Sequence, residues 1–200
     1  MNKFSCKNCG ACCKDFGSFG TLPLFSDEVE KYKKCDKEAE IELEFVPENV
    51  LLDKVSGSAV CLNWGMKGNP CKFLKNNLCG IYKNRSLICK AFPLEKIPEK
   101  EGCVKFSCFM DCPENSLNDF VHEASLVKEF DEPAFIEMFG KESFDARVEI
   151  ERRKRFIGDS LKKLKEENKA DFVEAEFLDS RDLQVVDIFE FLKNFGIAYT

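Results

Sequence analysis

Two hundred residues with a 44% hydrophobic share suffice for one ordinary domain, or for a small metal domain with an appendage. The formal charge of −6 argues against nucleic acid as the primary partner, and no stretch approaches the roughly 18 consecutive apolar residues of a membrane span. Met1-Asn2-Lys3-Phe4-Ser5 has no apolar export core, so a cytoplasmic protein is expected, where twelve cysteines read as metal ligands rather than disulfides.

The chain opens on Cys6-Lys7-Asn8-Cys9-Gly10-Ala11-Cys12-Cys13. Two overlapping C-x-x-C steps turn successive sulfurs toward one point, as a tetrahedral metal or an iron–sulfur cluster requires. Gly10 supplies the backbone freedom for that turn. Neighbouring side chains tend to diverge, so Cys12 and Cys13 are expected to serve different sites, or different irons of one cluster.

Further along, Ser26 followed by Asp27 and Glu28 predicts a short helix capped at Ser26. Residues 41–46 alternate apolar and acidic, which predicts a half-buried strand, and Val60 to Trp64 reads as another. Cys71 to Tyr82 predicts a hairpin turning at Asn76-Asn77 that brings Cys71 and Cys79 together. Asn84-Arg85-Ser86 starts a helical turn carrying Cys89 and ending before Pro93. Beyond Cys112 there is no cysteine, and the pattern becomes helical. Helices are predicted over 116–130, from Pro133 to a stop at Gly140, over the charged stretch 145–168, and from Leu183 to Phe195. The fold class expected is α+β. A small irregular cysteine-rich metal domain with short strands and helices (1–113) is followed by a mostly helical C-terminal extension (114–200).

The opening motif is joined by Pro70-Cys71-Lys72-Phe73-Leu74, Cys79-Gly80-Ile81-Tyr82, Arg85-Ser86-Leu87-Ile88-Cys89-Lys90-Ala91-Phe92-Pro93 and Cys112-Pro113. In that order the blocks resemble the YkgJ-type cysteine-cluster family, a zinc- or iron-chelating domain, over roughly residues 4–113. The family's pattern runs C-x-x-C-G-x-C-C, P-C-x-F-L, C-x-I-Y, R-P-x-x-C-R-x-F-P and a later C-P. Ser86 stands where it usually has Pro, and Lys90 where it usually has Arg. The resemblance implies eight ligands: Cys6, Cys9, Cys12, Cys13, Cys71, Cys79, Cys89 and Cys112. Eight thiolates divide into two four-cysteine sites, which carry zinc or an iron–sulfur cluster. Arg85, at a motif position, is expected to support the bound group through hydrogen bonds or charge. Cys108 competes with Cys112 for the last place, and Cys35, Cys61 and Cys103 fall outside the pattern.

His122, the one histidine, lies beyond the pattern on a predicted helix and reads as a surface or partly buried residue. The basic stretch 152–165 has interleaved acids and reads as an exposed helix face. No glycine-rich phosphate loop or nucleophile elbow is present. The expected function is therefore a metal-binding redox or docking module with a protein partner. Two alternatives stand beside it. One is an iron–sulfur-dependent protein-modifying enzyme related to flagellin lysine N-methylases, which carry a similar cluster, although residues 114–200 are short for a methyltransferase domain. The other is a purely structural zinc protein.

Overall fold

A computed structural model describes residues 10–14, 20–92, 94–97, 105–108, 132–174 and 184–200. In chain order its elements are α1 (Ala11–Lys14), β1 (Thr21–Leu24), α2 (Ser26–Ala39), β2 (Phe45–Asp53), β3 (Ala59–Lys67), β4 (Leu74–Lys75), β5 (Leu78–Cys79), a 3₁₀ turn (Tyr82–Asn84), and α3 (Leu87–Ala91). There follow β6 (Leu94–Ile97), β7 (Lys105–Cys108), α4 (Glu132–Phe139), α5 (Lys141–Glu166), β8 (Phe172–Glu174), β9 (Val185–Asp187) and α6 (Ile188–Lys193). Mixed helices and short, mainly antiparallel strands make the fold α+β. Among the described residues no helix is long and apolar enough to cross a membrane. The boundary expected between residues 113 and 114 and the predicted helix over 116–130 lie outside the described residues. Compactness groups the chain into two units, Met1–Gly17 with Asn69–Ile150, and Ser18–Gly68 with Glu151–Thr200.

The second unit is built on a five-stranded sheet in the order β1-β3-β2-β8. The long antiparallel pair β2–β3 runs from Phe45↔Met66 to Leu52↔Ala59. One edge of β3 is shared: β1 pairs its Trp64–Lys67 half antiparallel, and β9 pairs Ala59–Cys61 parallel. The core contains Leu24, Tyr32, Val60, Met66, Leu164, Ile188 and Leu192, each at most 1% exposed. Full burial of such side chains contributes about 1.5–3 kcal/mol apiece. Cys35 and Cys61 belong to this core and, among the described residues, to no cluster of thiols; the Cys61 thiol donates to the Asn63 carbonyl at 2.9 Å. Burial, the main cause, pushes the Cys61 thiol up to about 11.

Asp53, at the end of β2, is fully buried and binds the chain on both sides. It accepts from Ser56 Oγ at 2.6 Å, from the Ser56 and Val55 amides at 3.0 and 3.2 Å, and from the Asp171 amide at 2.8 Å. Burial works to raise this carboxyl, yet the four hydrogen bonds hold it below its ordinary value.

Three local expectations change. Ser26 is the first helical residue of α2 and not its cap: Phe25 holds the cap position, and the buried Glu28 carboxylate accepts the Phe25 amide at 3.1 Å. The alternating residues 41–44 precede the strand, because pairing with β3 begins at Phe45. The helix expected from Leu183 starts only at Ile188; Val185 and Val186 take a sheet edge, and Asp187 caps the helix by accepting the Phe189 amide at 2.9 Å.

In the first unit the hairpin β4–β5 turns at Asn76 and Asn77, both with positive φ (51° and 63°), as the sequence predicts. Helix α4 ends at Gly140, φ 85°, and is followed by the long charged helix α5. Phe73 and Ala91 are buried here, at 2% and 0% exposure.

Candidate metal centre

Three short pieces of the first unit carry the described motif cysteines. The first begins at Gly10, φ 71°, whose carbonyl accepts the Cys13 and Lys14 amides at 2.9 and 3.0 Å and so starts α1. A β-carbon at Gly10 would stand 3.0 Å from Leu74 Cδ1 and 3.2 Å from the Asn77 carbonyl oxygen. The glycine of the opening motif is thus required twice, by its dihedral and by its approach to the hairpin turn. The second piece is the hairpin, joined to the first where the Cys71 amide donates to the Cys13 carbonyl at 2.7 Å. The Leu74 amide bonds the Cys71 carbonyl at 2.9 Å, and the Gly80 amide the Phe73 carbonyl at 2.8 Å, which sets Cys71 and Cys79 at the two ends of the turn. The third is α3, where the buried Ser86 caps the helix by accepting the Cys89 amide at 3.4 Å. Serine takes the cap position here, where the family pattern usually has proline, and it keeps the Cys89 amide satisfied.

These pieces bring Cys12, Cys13, Cys71, Cys79 and Cys89 into one electrostatic neighbourhood. The Cys12 and Cys13 sulfurs lie 3.9 Å apart, so the neighbouring side chains meet instead of diverging as expected. The hydrogen bond from Cys13 lowers the Cys12 thiol to about 7, with a further contribution from Arg85. The same bond drives Cys13 up, together with burial and the negative charges of Cys12, Cys71 and Cys89. Burial, first, and the other thiolates raise Cys71 and Cys79. Cys89 is pushed up to about 12 by burial, partly offset by a hydrogen bond from Ser86. The Cys12 thiolate therefore opposes ionisation of the other four, and a cation among them would reverse that.

Arg85 is the positive group that lowers both Cys12 and Cys79. Its guanidinium stacks 3.7 Å from the Tyr82 ring centre, and its Nε donates to the Tyr82 carbonyl at 3.0 Å. Glu142, in the first turn of α5, reaches Arg85 and Lys90 at 3.6 Å each. Nothing in the sequence near Glu142 signals this clamp, because its partners lie more than fifty residues earlier in the chain.

Cys6, Cys9 and Cys112 lie outside the described residues, as do Cys103 and His122. Cys108 ends β7, its backbone opposite Leu94. Among the described residues no three His, Cys, Asp or Glu side chains form a metal cage by themselves. The donor chemistry nevertheless fits. Clustered thiolates are the ligands that zinc and iron–sulfur clusters share, and the 3.9 Å sulfur separation is near the edge of about 3.8 Å that Zn–S bonds of about 2.3 Å imply for a tetrahedron.

No curated protein and no solved structure matches the chain. A family model described as "CxxCxxCC: Putative zinc- or iron-chelating domain" does match, over residues 5–112. That span takes in more than half of the chain and every motif block from Cys6 to Cys112, and it makes this protein a member of the CxxCxxCC family.

Proposed function

We propose that Cys6, Cys9, Cys12, Cys13, Cys71, Cys79, Cys89 and Cys112 hold zinc or iron–sulfur in two four-cysteine sites, and that the protein is a redox or docking module acting on a protein partner. The observation that carries this reading is the Cys12–Cys13 sulfur pair, 3.9 Å apart, on a segment tied to the hairpin by the 2.7 Å bond from the Cys71 amide to the Cys13 carbonyl, with Cys71, Cys79 and Cys89 within electrostatic reach of Cys12. Thiols within electrostatic reach of one another and of Arg85 favour a bound cation. Zinc there would cross-link the segments, whereas an iron–sulfur cluster would add one-electron chemistry. The chain's own part is to place the sulfurs: Gly10 and Ser86 set the backbone, and Arg85, held by Tyr82 and Glu142, offsets negative charge.

The test is to purify the protein without oxygen and measure iron, zinc and acid-labile sulfide per chain, with the visible spectrum. Matching iron and sulfide assign a redox module, and dithionite should then bleach the colour reversibly. About two zinc ions without sulfide assign a docking scaffold. Single Cys12→Ser and Cys13→Ser substitutions should each lower the metal content. Unchanged content in both variants, or a wild-type protein that holds no metal, refutes the assignment.

A further inference from the structure

The sheet unit carries a cleft of about 700 Å³ that has no part in the cysteine cluster. Four partly exposed aromatic rings line it, Phe45, Trp64, Phe189 and Tyr199, contributed by β2, β3, α6 and the segment after α6. Asp187 also lines it. One carboxylate oxygen caps α6, and the other accepts the Trp64 indole N–H at 3.5 Å. Its negative charge is thereby placed at the rim of the indole ring.

The cleft's basic groups are already matched by acids. Arg153 pairs with Asp27 at 2.7 Å, Lys33 with Glu30 at 2.8 Å, and Lys193 with Glu190 at 2.6 Å. Asp187 has no basic partner among the described residues. Aromatic faces are negative and attract cations, Trp most strongly, while they repel anions. The neighbouring rings already take such a contact: the Arg153 guanidinium lies 4.9 Å from the Phe25 ring centre and 5.5 Å from that of Tyr199. The volume falls in the usual range for small-molecule sites.

We propose that this cleft binds a small organic cation, an alkyl- or quaternary ammonium group seated on Trp64 with Asp187 as its counter-charge. No cysteine is among the cleft's lining residues. Trp64 is the chain's one tryptophan, so its fluorescence reports on the cleft directly. The experiment titrates the full chain, carrying its metal, with choline, with the neutral isostere 3,3-dimethyl-1-butanol and with the anionic 3,3-dimethylbutyrate, at constant ionic strength.

Choline should give a saturable change at a concentration about tenfold below that of the neutral isostere, with no response to the anion. Asp187→Asn keeps a good helix cap, checked by far-UV circular dichroism, and should weaken choline binding about fivefold or more. An isostere or anion that binds as well as choline overturns the proposal. So does the absence of a saturable choline response, or a folded D187N protein with wild-type affinity.

Discussion

Replacing Gly10 by alanine tests whether the opening motif and the hairpin form one metal-binding unit. At φ 71° an alanine pays the left-handed penalty of about 1–2 kcal/mol. The new methyl group would also meet Leu74 Cδ1 at 3.0 Å, and the Asn77 oxygen and Cα at 3.2 and 3.3 Å. Leu74 can rotate, but Asn77 is backbone in a turn already committed to positive φ, so relief requires moving the hairpin. Crowding of this kind adds about 1 kcal/mol. Because metal binding and the local fold are one equilibrium, the sum of about 2–3 kcal/mol should appear as a loss of roughly 30- to 150-fold in metal affinity.

The assay is zinc competition against a chromogenic chelator, with Gly20→Ala as the control. Gly20 also has positive φ, 65°, but lies in the other unit, and a methyl group there meets nothing within 4 Å. G20A should leave zinc affinity unchanged. A G10A affinity within about threefold of wild type would falsify the proposed contact, and equal weakening by G20A would assign the loss to general instability.

Asp53→Ala should destabilise the sheet unit by about 3 kcal/mol in urea unfolding, since four donors from Val55, Ser56 and Asp171 lose their acceptor. Asp53 also contributes a pH dependence: its folded value is depressed, so its stabilisation is present above pH about 4 and is lost as pH falls through the folded value. Cys61 acts at the other end of the scale. Its thiol is raised from 9.0 to about 11, so its contribution is intact below pH 9 and fades as pH rises to 11, by about 2–3 kcal/mol. Cys61→Ala should remove that alkaline loss of stability in denaturant titrations at pH 8 and pH 11. Ser86→Ala removes the α3 cap and the bond to the Cys89 thiol, and should weaken zinc binding about fivefold in the same competition assay.

The features legible in the sequence are those whose causes lie within a few residues. The Asn76-Asn77 turn needs two residues that tolerate positive φ, and the chain supplies them side by side. Ser86 can cap α3 because the amide it accepts is three residues on, and Gly140 ends α4 by its own dihedral. The order of the cysteine blocks likewise identified the family before any geometry was known.

What the sequence left undecided depends on partners far along the chain. Val185-Val186 suits a strand or a buried helix face equally, and only the free edge of β3, more than a hundred residues earlier, makes it β9. Residues 41–44 alternate like a strand, yet the regular β2–β3 ladder stops at Met66↔Phe45, and only the Glu44 carbonyl continues it by accepting the Lys67 amide at 2.9 Å. Glu142 joins Arg85 and Lys90 only after α5 is packed, and the place of Cys35 and Cys61, which the motif pattern leaves out, is settled only by where the core closes. Turns and caps are short-range hydrogen bonds and dihedrals that the local sequence determines by itself. Strand pairing, burial and charge clusters are set by which surfaces meet, and the tertiary structure alone decides that.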